Sequence, residues 1–283
     1  MTILACVDGS RYITSVCDYA ARAALRLGTG VDVLHAIDRH ATDGNAVDHS
    51  GHMPPGMVDS VLEESVRLNE GRNRLAQRAA RLVLDQAVGQ IRQAGVKKVQ
   101  EHLVFGGLVD SLRSHEQHAR LIVLGKRGAS EGQASSHIGS NLERVVRASH
   151  RPVLIVPPVS RPLRRFVVAY DGEPSTARII DTLTEESLLT EAECHLVMVG
   201  DDTGDRQRQL ATAAARLQEA GYAVTPLLKP GDADEVILAT VRKIDADLLV
   251  MGAYGHSRVR TLIIGSTTTA LLRASTLPLL VIR

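Results

Sequence analysis

The sequence predicts an α/β protein built twice: two tandem units, each a five-stranded, mostly parallel sheet with helices on both faces. Three observations carry this. Short hydrophobic runs alternate with amphipathic stretches along all 283 residues, the pattern of a covered parallel sheet with right-handed crossovers. Aromatic residues are scarce (no Trp, two Phe, five Tyr), which leaves Val, Leu, Ile and Ala to fill the core, as buried parallel strands require. A set of landmarks also recurs in order. Val7-Asp8-Gly9-Ser10 is matched by Tyr170-Asp171-Gly172-Glu173, and Gly125-Lys126-Arg127-Gly128 by Gly252-Ala253-Tyr254-Gly255. Gly139-Ser140-Asn141 is matched by Gly265-Ser266-Thr267, and the run after Pro152 by the run after Pro278. The prolines, like Gly139 and Gly265, lie 126 residues apart, Gly125 and Gly252 lie 127 apart, and the two aspartates 163 apart. Order and spacing kept together indicate duplication, with an insert of about 36 residues between Asp8 and Gly125 of the first copy.

The elements follow from apolar periodicity. The first unit reads as strand Thr2–Val7, helix Ser10–Leu27 and strand Val31–Ile37. A loop or lid from Asp38 to about Pro55, rich in His, Gly and Pro, follows. Next come a long helix from Met57 to Ala94, strand Val99–Phe105, helix Leu108–His118, strand Leu121–Leu124, a helix from Ser140 and strand Val153–Val156. Pro157-Pro158 and Arg161-Pro162 mark a linker, so the expected domains are 1–157 and 158–283. The second unit reads as strand Phe166–Tyr170, helix Thr176–Leu189, strand His195–Val199, helix Arg206–Ala220 and strand Ala223–Leu228. Helix Asp234–Lys243, strand Leu248–Met251, helix Thr267–Arg273 and strand Leu279–Ile282 complete it.

In an open α/β sheet, ligands sit outside the carboxyl ends of the strands. The aspartates and the Gly-x-x-Gly loops both fall at such ends. Glycine lets the backbone turn and approach a ligand closely, and a Gly-Ser opening a helix aims free N–H groups at an anion. Each half therefore reads as a nucleotide-binding unit.

Asp after the first strand, Gly-x-x-Gly after the fourth and Gly-Ser/Thr nine residues later resemble the universal stress protein family, most closely its tandem-domain branch. The resemblance spans essentially the whole chain, twice. It implies two domains of adenine-nucleotide α-hydrolase-like type and ATP, with Mg²⁺, as ligand. It implies that Asp171 contacts adenosine, beside Tyr170 and Met251, while Ala169 and Val199 frame the base. Gly252 and Gly255 would wrap ribose and phosphates, and Gly265, Ser266 and Thr267 would bind phosphate oxygens. The first copy supplies the weaker set Asp8, Gly125, Gly128, Gly139 and Ser140. It departs from the pattern in having ten residues before Gly139, Asn141 in place of a hydroxyl residue, and a more basic loop with Lys126 and Arg127.

Other readings of these residues stand beside that one. Asp8 and Asp171 are also good helix caps, Ser266 and Thr267 can cap a helix without binding anything, and Tyr170 and Tyr254 either stack on a base or pack with the hydroxyl in water. His49-x-x-His52 and His115-x-x-His118 have a chelating spacing but no accompanying Cys and no HExxH order, so no metal site is expected. Charge is nearly balanced, 33 basic against 32 acidic residues, which gives no case for general nucleic-acid or membrane binding. Three cysteines without CxxC spacing argue for a reducing compartment. With no leader pattern and no span-length apolar run, a cytoplasmic protein is expected.

No Walker A sequence, GxSxG elbow or two-carboxylate metal site appears, so the expected role is binding rather than rapid catalysis. The first expectation is an ATP-binding stress-response protein with nucleotide mainly in the second domain, acting as a switch of conformation or assembly. The alternatives are a nucleotide-independent interaction protein whose first-domain pocket takes a small or apolar metabolite, and a slow ATPase. The two copies are expected to pack as a pseudo-dimer through Val153–Val156 and Leu279–Ile282, and a homodimer of the whole chain also remains open.

Overall fold

A computed structural model describes residues 1–37, 55–128, 140–253 and 266–283. The expected lid, with His49 and His52, and the residues Gly139, Tyr254, Gly255 and Gly265 lie outside the described residues.

The first half contains β1 (Thr2–Cys6), α1 (Ile13–Arg26), β2 (Val31–Ile37), α2 (Pro55–Gln93), β3 (Val99–Phe105), α3 (Leu108–His115), β4 (Ala119–Gly125), α4 (Ser140–Ala148) and β5 (Val153–Val156). The second contains β6 (Arg165–Ala169), α5 (Pro174–Glu185), β7 (Glu193–Val199), α6 (Gly204–Glu219), β8 (Val224–Lys229), α7 (Ala233–Lys243), β9 (Leu248–Gly252), α8 (Ser266–Ala274) and β10 (Leu279–Ile282). All ten strands join one sheet in the order β3-β2-β1-β4-β5-β10-β9-β6-β7-β8. Pairing is parallel within each half, and β5 meets β10 antiparallel. The sheet is therefore a palindrome. Leu154 pairs with Leu280, its own counterpart 126 residues on, so a pseudo-two-fold axis passes through that pair. This is the pairing of last strands that the sequence led one to expect.

Alternation along the strands divides the core into two layers. Ile3 and Ala5 of β1, Leu154 of β5 and Leu280 of β10 face α1, α2, α5 and α6. Leu4, Cys6, Val153, Ile155 and Leu279 face α3, α4, α7 and α8. Residues of both sets are buried almost completely, each Val, Leu and Ile among them contributing on the order of 1.5–3 kcal/mol through loss of apolar surface from water. Cys6, Cys17 and Cys194 are buried within these layers.

Cations tie the halves together at helix ends. Lys126 Nζ donates to the carbonyls of Arg273 (3.1 Å) and Ser275 (2.5 Å) at the end of α8. Arg283 Nη1 donates to the carbonyl of Arg147 (2.5 Å) at the end of α4. Arg147 and Arg273 are counterparts in the repeat, and a cation at a helix carboxyl end satisfies free carbonyls and opposes the dipole. Arg120 also pairs with Glu186 across the halves.

Several boundaries differ from expectation. Helix α1 opens at Ile13 rather than Ser10, because Asp8 and Ser10 hold the preceding residues in a turn. The helix expected to run to His118 ends at His115, followed by a 3₁₀ turn over Glu116–His118, and β4 begins at Ala119. Helix α5 stops before Glu186, whose extended backbone leads into a second 3₁₀ turn that buries Leu189. No helix among the described residues is long and apolar enough to cross a membrane.

Candidate functional site

At the carboxyl end of β6 the chain passes Ala169, Tyr170 and Asp171 and turns at Gly172, whose φ of +82° is in a region that disfavours side chains. Asp171 Oδ1 accepts from the backbone N–H of Glu173 (2.9 Å) and from Thr176 Oγ1 (2.5 Å). The helix cap is Glu173, with Pro174 in the first turn of α5. Asp171 thus pins the turn ahead of the helix instead of capping it, and its exposed side chain makes both bonds through Oδ1, with no hydrogen bond to Oδ2 from another described residue.

Thr176 is the residue that the sequence reading missed. It is buried, its hydroxyl holds Asp171, and its methyl lies 3.4 Å from where a Cβ at Gly252 would stand. One side chain therefore joins the aspartate that follows β6 to the glycine that ends β9. From the other side, Thr268 of α8 reaches the carbonyl of Gly252 at 3.5 Å. Met251, just before it, is buried in the layer beneath α7 and α8, and Ala169 and Val199 pack against the same layer. Tyr170 packs instead against the opposite layer, under α5 and α6. Burial, with Asp171 adding to it and Arg216 opposing, pushes the Tyr170 phenol above its ordinary range. After Val199, Gly200 turns with φ +149°, and Arg206 and Gln209 of α6 cover Gly200 and Gly172, where any Cβ would collide with them. Ser266 and Thr267 open α8. What the structure brings together is Ala169, Asp171, Met251, Gly252 and, through Thr268, the first turn of α8.

The first half repeats the turn but not the bridge. Asp8 Oδ1 accepts from the N–H of Ser10 at 3.0 Å, matching Asp171 and Glu173. The position of Thr176 is taken by Ile13, and that of Ser175 by Tyr12. Tyr12 is buried against Gly125, where a Cβ would come within 2.6 Å of the Tyr12 Cβ. The second loop glycine, Gly128, lies beside Asp8, with 3.4 Å between its would-be Cβ and Oδ2. Ser140 opens α4. Lys126 does not face this loop, since its ammonium is committed to the end of α8. Burial and, secondarily, the charge of Arg127 bring its pKa down to about 8.

Of the histidines at 115 and 118, the first is held structurally and the second is exposed. His115 Nδ1 lies 2.8 Å from the carbonyl of Ser111, and its ring meets that of His102 edge-on. Among the described residues no cluster of three or more His, Cys, Asp or Glu is arranged to hold a metal.

The universal stress protein family model matches residues 1–157 and again 162–283. The chain belongs to the universal stress protein family. A universal stress protein of Synechocystis sp. is 36% identical over 284 residues, covering 99% of both chains. In fold, the chain resembles a universal stress protein from Archaeoglobus fulgidus with a TM-score of 0.75 at 24% identity, over 100% of this chain and 98% of the other. A protein of Pseudomonas aeruginosa described as functionally unknown follows, with a TM-score of 0.62 at 16% identity over 99% and 92% of the two chains. The alignments thus run nearly the full length of these relatives, and the family match extends over both halves of the chain.

Proposed function

We propose that this universal stress protein binds ATP, with Mg²⁺, chiefly in its second half, and that the nucleotide switches its conformation or assembly. The observation that carries this is the bridge Asp171–Thr176–Gly252, which holds an aspartate and a loop glycine together at neighbouring strand ends. Oδ2 of Asp171 is an acceptor for a ribose hydroxyl. Gly252 leaves the backbone bare where ribose and phosphates approach, and the opening turn of α8, Ser266 and Thr267, offers N–H groups to phosphate. Ala169, Val199 and Met251 are the apolar frame for the base, with Gly255 and Gly265 completing the phosphate loop by family resemblance. Replacement of Thr176 by Ile13 and the packing of Tyr12 on Gly125 argue that Asp8, Gly125, Gly128, Gly139 and Ser140 bind nucleotide more weakly or not at all.

The test is calorimetric titration of the whole chain with ATP and Mg²⁺, after any co-purified nucleotide has been released and counted. One site per chain, lost in Gly265→Val and kept in Gly128→Val, is the expected result. Two sites, one lost in Gly128→Val, would restore the first half as a binder. No binding at all would reject the proposal and favour the nucleotide-independent reading, while turnover abolished by Gly265→Val would make the protein a slow ATPase.

A further inference from the structure

Helix α2 is 39 residues long, and among its described side chains only those of its second part are buried. Ala80, Leu84, Ala87, Val88 and Ile91 are buried against α1, β2 and β3. From Val66 to Ala79 the described side chains are exposed apart from a half-buried Ala76. Yet leucine recurs at a seven-residue interval along this stretch and into the supported part: Leu68, Leu75 and Leu82 are 58%, 66% and 69% exposed. A seven-residue apolar repeat is the signature of helix-to-helix pairing, and more than three turns of helix with no tertiary support are marginal in water. Phe105, 51% exposed on the edge strand β3, lies with Leu82 and Leu103 in the depression at the base of this stretch.

Two features name what covers the stripe. Gly71 sits in mid-helix on the same face, one turn from Leu68 and from Leu75, with nothing within 4 Å of its would-be Cβ. Glycine there costs about 1 kcal/mol against alanine, and it leaves room for another helix to come close at the middle of the stripe. The charges are also sorted along the axis. Glu64 and Glu70 flank its beginning, with Arg67 between them, while Arg72, Arg74, Arg78 and Arg81 crowd its end. Two copies laid parallel would stack arginine against arginine. Laid antiparallel, they set Leu68 of one near Leu75 of the other and the arginine-rich end of each beside the glutamates of its neighbour. Segment 38–54, which leads into α2 in the sequence, offers only Val47 and Met53 as large apolar side chains, too few for three leucines.

We propose that the leucine stripe of α2 is a self-association surface, pairing antiparallel with the same helix of a second copy of this chain. It is separate from the β5–β10 junction and from the nucleotide loops, so it stands or falls independently of the ATP reading.

Sedimentation equilibrium of the full chain tests it. The wild type is expected to dimerise, more weakly as salt is raised. Leu68→Glu/Leu75→Glu is expected to be monomeric with an unchanged denaturant midpoint, since neither leucine touches the core, and to lose some helical circular dichroism as the unpaired stretch frays. A monomeric wild type, or a dimer that survives the double substitution, overturns the proposal. Leucine substitutions that destabilise a monomeric chain would overturn it too, by showing that the stripe is covered from within. Polarity is read from disulfide capture between Glu64→Cys and Arg78→Cys chains, the native thiols being buried. Capture of the mixed pair is expected, and capture of each variant only with itself overturns the antiparallel arrangement.

Discussion

Gly125 and Gly252 occupy the same place in the repeat but answer to different constraints. A Cβ at Gly125 meets the Cβ of Tyr12 at 2.6 Å, whereas one at Gly252 meets nothing closer than the Thr176 methyl at 3.4 Å. The first contact forces a buried aromatic to move, and overpacking of that kind costs about 1–3 kcal/mol. The second is tolerated with a small local adjustment. Gly125→Ala is therefore expected to lower the denaturant midpoint clearly and to leave ATP binding by the second half intact. Gly252→Ala is expected to change stability little and to weaken ATP binding. Equal loss of stability in both would mean that the two loops are built alike. Thr176→Val separates the bridge from its steric role. It removes one hydrogen bond from Asp171, a change of about 1 kcal/mol, and calorimetry should read roughly a fivefold loss of ATP affinity by that same figure.

The junction of β5 and β10 is four residues on each side, every one of them buried. Leu154 and Leu280 face each other on the pseudo-axis, so Leu280→Asp places an unpaired carboxylate where both halves contribute apolar surface. A buried charge without a partner costs several kcal/mol, and thermal unfolding is expected to fall sharply and to separate into two transitions. A single transition near the wild-type temperature would show that the junction does not couple the halves. Elements of this kind were legible in the sequence. The strands announce themselves as short apolar runs, and the repeat interval pairs each with its counterpart, which made the closing strands the natural place for the halves to meet. Helix starts were less legible, because Asp8 and Ser10 favour a local turn over a first helical turn. Thr176 gave no signal at all: it is one threonine in a helix until the fold carries Gly252 against its methyl. The long spacing of α2 was visible too, but only the fold shows where its floor ends.

Across the whole molecule, the palindromic strand order makes each half half of a two-fold assembly. Cutting the chain at the linker would expose β10 as a short, apolar sheet edge, a surface that readily recruits another strand. The isolated segment 158–283 is expected to dimerise through β10, with Leu280 pairing with itself, and Leu280→Asp is expected to keep it monomeric. Sedimentation of the two fragments reads this directly, and a monomeric unsubstituted fragment would show that the pairing needs both halves covalently joined. The same symmetry reverses strand direction at the junction, so the two loops open on opposite rims of the sheet. Helix α8 crosses between those rims. Its nine residues span about 14 Å, with Ser266 beside the second loop and the carbonyl of Arg273 gripped by Lys126, the residue next to Gly125 of the first. A nucleotide bound as proposed at the second loop would press on a strut whose far end the first loop holds.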